Sequence, residues 1–229
     1  MKGNLGKPLA VIALVLLLAF SVYQKQQSLG GKEAVIVDQL SEENTEYGFV
    51  ERCSGLLESR GYSVRVFKGE NVTIGLFQGL DWRVDLVVLR MHSGVFDNRT
   101  WLFTHEKYDS SKYVLEQLSG EVNIGICGSV DYPVFTVSSD FFERNLEFDG
   151  GLVIVMGCNG LDRDDLGRVL YETGADAVVG WSGPVTVEET DKAVLGFLEE
   201  ILSGESLRVA VKDTGLGYYP EGAREFRLG

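Results

Sequence analysis

Histidine and cysteine are scarce in this chain. Among 229 residues there are two histidines, three cysteines and four prolines. Cys53, Cys127 and Cys158 include no short-spaced pair, so neither a zinc site nor a disulfide framework is indicated. The odd count leaves at least one free thiol. Cys53 lies on a helical pattern and Cys127 in an apolar strand pattern, where both read as small buried hydrophobes, with a mutual disulfide as the lesser option. Internal repeats and low-complexity tracts are missing. No glycine-rich turn follows the first strand: DQLSEEN, Asp38 to Asn44, contains no glycine, which sets aside a Rossmann nucleotide binder. Cationic charge is also short, with 21 basic against 34 acidic residues. Three of the lysines and none of the acids fall in residues 1–30, so the remainder has 18 basic and 34 acidic residues, a net of −16. Such a balance disfavours nucleic acid and anionic membrane surfaces as partners.

A hydrophobic fraction of 45% supports a sizeable core, and the length fits one domain with an appendage. The appendage is the amino terminus. A short basic stretch, residues 1–7, precedes an uncharged apolar run over 8–24 that reads as one apolar helix, either a signal-anchor or a cleaved signal peptide. Residues 25–32 form a polar tether. The globular part is then expected outside the membrane, where sequons at Asn71 and Asn98 would be usable.

From residue 33 the pattern is β-α-β-α-β. Strands are expected at Ala34 to Asp38, Tyr62 to Phe67 and Val84 to Met91, with helices from Phe49 to a stop at Gly61 and from Val72 to Leu80 behind a cap at Asn71. That order implies a mostly parallel sheet with right-handed crossovers. Residues 95–150 are too long for a single crossover and read as an inserted antiparallel subregion. The cysteine strand, a helix over Asp162 to Glu172, a strand over Ala175 to Trp181 and a helix over Val187 to Leu202 follow. Leu207 to Lys212 reads as a last strand, closing a domain over 33–212, and 213–229 as a tail. The expectation is an α/β fold, a three-layer α/β/α sandwich with a small antiparallel insertion.

Two stretches share one form. VDLVVLRMHSG, Val84 to Gly94, is an apolar strand ending in a histidine, and GLVIVMGCNG, Gly151 to Gly160, is an apolar strand ending in a cysteine between glycines. The carboxyl edge of a parallel sheet is where ligands and chemistry gather. If the two strands are neighbours, His92 can take and return the proton of a Cys158 nucleophile. The backbone N–H groups of Gly94 and Cys158 are then the natural oxyanion donors. A thiol enzyme of the glutamine amidotransferase kind needs its histidine after the cysteine, and both His92 and His105 precede Cys158.

The His-x-Gly and Gly-Cys-x-Gly strand ends resemble those of the caspase-like cysteine peptidases, the group that includes separase, clostripain, gingipain and CHAT-domain proteases. LGRVLYETGADAVVGW, Leu166 to Trp181, is similar to the helix-Gly-Ala-strand-Trp segment of separase and CHAT proteins, and Val185 to Asp191 resembles the acidic stretch after that tryptophan. The resemblance runs from about Glu33 to Leu202. It implies a caspase-like fold, a His92–Cys158 dyad with Gly94 in the oxyanion hole, and a polypeptide substrate. Several members of the group cut after Arg or Lys, which a pocket carboxylate would recognise. Asp191 is the first choice, with Asp131 and Trp181 also assigned to substrate, while Asp162 and Glu188 lie within reach. Each acid also reads as a solvated surface charge. No metal or organic cofactor is implied, and calcium is the one metal that the clostripain likeness leaves open. The alternative to a tethered endopeptidase is an inactive caspase-like domain serving as a cell-surface binding or scaffold module.

Overall fold

The computed structural model describes residues 31–128 and 130–228. The apolar helix expected over 8–24 lies outside them. Among the described residues no helix is long and apolar enough to cross a membrane.

Residues Glu33–Gly229 form one compact unit. Its main sheet contains β1 (Glu33–Asp38), β2 (Ser63–Lys68), β3 (Leu86–Arg90), β8 (Leu152–Val155), β9 (Ala177–Gly180) and β10 (Gly217–Tyr219). The spatial order is β10-β9-β8-β3-β1-β2, parallel except for β10. A second, antiparallel sheet is built by β4 (Ser93–Phe96), β5 (Arg99–Lys107), β6 (Val122–Gly125) and β7 (Val134–Ser138), in the order β4-β5-β7-β6. The α/β class, the mostly parallel sheet and the antiparallel insertion are therefore as the sequence implies.

The apolar runs of the main sheet are continuous because both of its faces are covered. Successive residues alternate between two cores. Val35, Val37, Val87, Leu89, Val153 and Val155 join one, and Ala34, Ile36, Leu86, Val88, Leu152 and Ile154 the other. Helices α1 (Phe49–Ser59), α6 (Val187–Leu202) and α7 (Leu207–Ala210) cover the second core through Cys53, Leu57, Val194, Phe197 and Ile201. Helices α2 (Ile74–Gly79), α4 (Ser139–Asn145) and α5 (Asp164–Glu172) cover the first, together with Leu102, Phe135 and Val137 of the antiparallel sheet. Within it the Phe77 ring stacks on Trp82 at 5.5 Å and meets Phe141 and Phe142 edge-on. The short helix α3 (Val114–Ser119) lies before β6.

Three local expectations are corrected. Helix α2 is capped by Thr73, not Asn71: the Thr73 hydroxyl accepts from the Leu76 N–H at 3.1 Å. Residues 207–210 are helical, not a strand. Leu207 and Ala210, three apart, are buried while Val209 is 40% exposed, the spacing of a helix packed by one face. The closing strand is instead Gly217–Tyr219, so the domain continues through the presumed tail, whose Phe226 carbonyl accepts from the Leu207 N–H.

Candidate active site

Strands β3 and β8 are adjacent and parallel, with Leu89 opposite Val155. His92 and Cys158 each follow three residues beyond that last pair, at the carboxyl edge. The close approach is built on Gly157. A Cβ there would lie 2.5 Å from the Met91 carbonyl oxygen and 2.1 Å from Ser93 Oγ, so only glycine fits. Ser93 Oγ then donates to the Cys158 carbonyl at 2.6 Å, tying the two strand ends together. Beyond the cysteine, Asn159 takes a left-handed conformation (φ 58°) and its N–H bonds the Gly183 carbonyl, which turns the chain toward α5.

The third contributor is the loop after β1. Chains leaving β1 and β3 go to opposite faces of the sheet, which opens a crevice at their carboxyl ends. Gln39 Oε1 accepts from the His92 backbone N–H at 3.0 Å, and Glu43 Oε1 lies 2.8 Å from His92 Nε2. The His92 and Glu43 side chains are each about 30% exposed. A carboxylate only accepts, so the contact orients the ring with Nε2–H toward Glu43, and in the neutral tautomer that this favours Nδ1 is the nitrogen that can act as a base.

A buried ion cluster underlies this loop. The Arg90 guanidinium holds Asp191 through two bonds, Nε to Oδ1 at 2.7 Å and the third nitrogen to Oδ2 at 2.9 Å. It also bonds Asp38 Oδ1 and the carbonyls of Leu40 and Glu43. Burial pushes the Asp38 carboxyl up, against the opposing pull of Arg90. Arg90 thus anchors the stretch that carries Glu43.

Cys158 is partly buried, and its thiol is held by Val185, with Sγ–H donating to the carbonyl at 3.3 Å and Sγ accepting from the N–H at 3.4 Å. The His92 ring and the thiol are brought to one edge but make no hydrogen bond with each other among the described residues. The Cys158 backbone N–H has no hydrogen-bond partner there either, as an oxyanion donor requires. Cys53 differs from it: it is fully buried and burial pushes its thiol up to about 12.

The other assignments fare differently. Gly94 lies inside β4, opposite Trp101, and the Phe103 N–H to His92 carbonyl bond sets a ladder alternation that directs the Gly94 N–H at β5. Its amide is therefore not an oxyanion donor. Asp191 is 0% exposed with both oxygens engaged, Oδ2 also by Asn44, so it is not an open pocket acid. Asp131 and Asp162 are exposed, and Glu188 pairs with Lys192 on the surface of α6. Trp181 is half-buried, donates to Thr190 Oγ1 at 2.9 Å, and lines a shallow cleft with Pro184 and Val185, next to the thiol. Among the described residues no cluster of three or more His, Cys, Asp or Glu side chains could hold a metal ion. The sequence reading missed Gln39, Glu43 and Arg90. A run of polar residues after a strand gave one usable signal, its position at the carboxyl edge. In comparisons with known proteins, no family model and no curated protein matches this chain.

Proposed function

We propose that this protein is a caspase-like cysteine endopeptidase, tethered to a membrane through residues 8–24 with its globular domain outside. The observation that carries the reading is the pairing of β3 with β8, whose chains leave one edge side by side and carry His92 and Cys158 just beyond it. Glu43 supports it by orienting the imidazole, and the unpaired Cys158 N–H supports it as the oxyanion donor.

In the reaction, the Cys158 thiol leaves Val185, and its proton passes to His92 Nδ1. The thiolate attacks the peptide carbonyl carbon, forming an S–C bond, while the oxyanion is held by the Cys158 N–H. Collapse breaks the C–N bond as His92 returns the proton to the leaving amine. Water, deprotonated by His92, then hydrolyses the thioester and restores the thiol. Hydrogen bonds of this kind commonly tighten only once substrate is bound.

The thiol's two bonds to Val185 favour a second reading, in which the domain is an inactive binding module. Full-length wild type, Cys158→Ala and His92→Ala, in mild detergent, separate the two when each is incubated with a diverse peptide library and cuts are read by mass spectrometry. The endopeptidase reading expects cuts from the wild type alone, with both variants down by about 10³-fold or more. Cuts that survive Cys158→Ala, or silence from all three, contradict it.

A further inference from the structure

One face of the antiparallel sheet is left open beside the candidate dyad. A groove of about 400 Å³ crosses it, lined by Gly94, Phe96, Trp101, Phe103, Asn123 and Thr136 among others, with no charged side chain in its wall. Phe96 is 67% exposed. The floor is the Phe103 ring, which lies across Gly125. A Cβ on Gly125 would come within 2.6 Å of that ring and 2.4 Å of Thr136, so glycine lets the ring lie down. At the other end, a Cβ on Gly94 would meet nothing within 4 Å, which keeps the groove open on the side of the histidine.

The groove adjoins the histidine through its floor. The Phe103 ring is edge-on to the His92 ring at 6.4 Å, and the Phe103 N–H bonds the His92 carbonyl. Strand β4 begins at Ser93, whose hydroxyl holds the Cys158 carbonyl, and it is the outer strand of its sheet, paired with β5 alone among the described strands. An extended peptide can therefore hydrogen-bond its main chain along the free edge of β4 while a side chain enters the groove. The volume falls in the range of pockets that enclose small ligands, and an uncharged aromatic wall selects against Lys, Arg, Asp and Glu.

We infer that this groove is a specificity subsite for a bulky apolar side chain, such as Phe or Leu, of an extended polypeptide substrate. The inference rests on the endopeptidase reading and names the substrate class for it. It replaces the preference for basic residues, since Asp191 is committed to Arg90.

The test uses full-length Cys158→Ala protein, which binds without cutting, and fluorescein-labelled octapeptides of Gly and Ser with one central Phe, Leu, Ala, Lys or Asp. Fluorescence anisotropy is expected to show Phe and Leu peptides binding about 10-fold or more tighter than the rest, the value of burying one such side chain. Adding Phe96→Asp, a change at an exposed groove-lining position, is expected to erase that advantage while the melting temperature stays put. Equal binding of all five peptides, tighter binding of the Lys peptide, or an apolar advantage that survives Phe96→Asp would overturn the subsite. Wild-type protein incubated with the same peptides separates this from the parent reading. Apolar-selective binding with no wild-type cleavage keeps the groove and removes the peptidase, whereas cleavage indifferent to the central residue does the reverse.

Discussion

The two sheets of this domain treat their faces differently. The parallel sheet is covered by helices on both sides, and its strands are apolar at every position from Leu86 to Leu89 and from Leu152 to Val155. The antiparallel sheet buries Leu102, Phe135 and Val137 on one side and leaves Phe96, on the other, at the surface. The same contrast is repeated within one strand end. Arg90 is 3% exposed and locked by two carboxylates, whereas His92, two residues on, is 30% exposed and held by a single one. The lesson is a division of labour across the carboxyl edge. Groups buried between layers are fixed by several partners, and the groups that emerge beyond them stay accessible.

That division predicts opposite outcomes for neighbouring substitutions. The largest effect on stability is expected from Arg90→Met, which strands Asp38 and Asp191 as unpaired buried acids. Loss of such a partner costs about 3–5 kcal/mol, and thermal unfolding should show a drop of roughly 6–20 °C for a domain of this size. A melting curve unchanged by Arg90→Met would break the comparison. Gly157→Ala comes next, because the added carbon collides with the Met91 carbonyl and Ser93. Overpacking of this kind costs about 1–3 kcal/mol, readable in the same unfolding curves, and it should also slow any cleavage by spreading the two strand ends.

Glu43→Gln lies on the accessible side and should leave stability within about 0.5 kcal/mol. If the domain cleaves peptides, cleavage should fall roughly 10- to 100-fold, since the imidazole loses the carboxylate that orients its Nε2. A change in the pH profile of kcat should accompany it, which a merely structural contact would not produce. Glu43→Asp should restore part of the rate. The smallest stability effect is expected for Phe96→Asp at the exposed groove rim, within about 0.5 kcal/mol by denaturant titration.

Much of the architecture can be read from sequence because the covered sheet writes itself plainly. Runs such as AVIV and LVIV, short, rich in β-branched residues and bounded by polar or glycine residues, read as strands buried on both faces, and α6 starts and stops where Thr186 and Ser203 bracket an amphipathic pattern. Thr186 and Glu189 form a reciprocal cap at its start. The carboxyl-edge placement of His92 and Cys158 is legible for the same reason. The failures lie where the decisive partner is distant in sequence. Asp191 looks like an exposed helical acid until Arg90, 101 residues earlier, is folded against it. Glu43 is one acid in a polar loop, and nothing local distinguishes it from Glu42. Leu207 to Lys212 alternates like a strand, but docking beneath the carboxyl-terminal segment makes it a helix, and the short Gly217–Tyr219 strand carries too few residues to announce itself. The Arg90 cluster also explains why an acid chosen for a basic-residue pocket turned out to be buried.

The central claim is that Cys158 and His92 act together at one edge, and thiol reactivity tests it without any knowledge of the substrate. Full-length folded protein would be treated with iodoacetamide, and the labelling rates of Cys53, Cys127 and Cys158 followed by peptide mass spectrometry across pH in wild type and in His92→Ala. Cys158 should label fastest and slow by about 10-fold on loss of the imidazole, while Cys53, whose burial pushes its thiol up to about 12, should remain unlabelled until the protein unfolds. A Cys158 rate no faster than that of Cys127, or one indifferent to His92→Ala, would contradict the account.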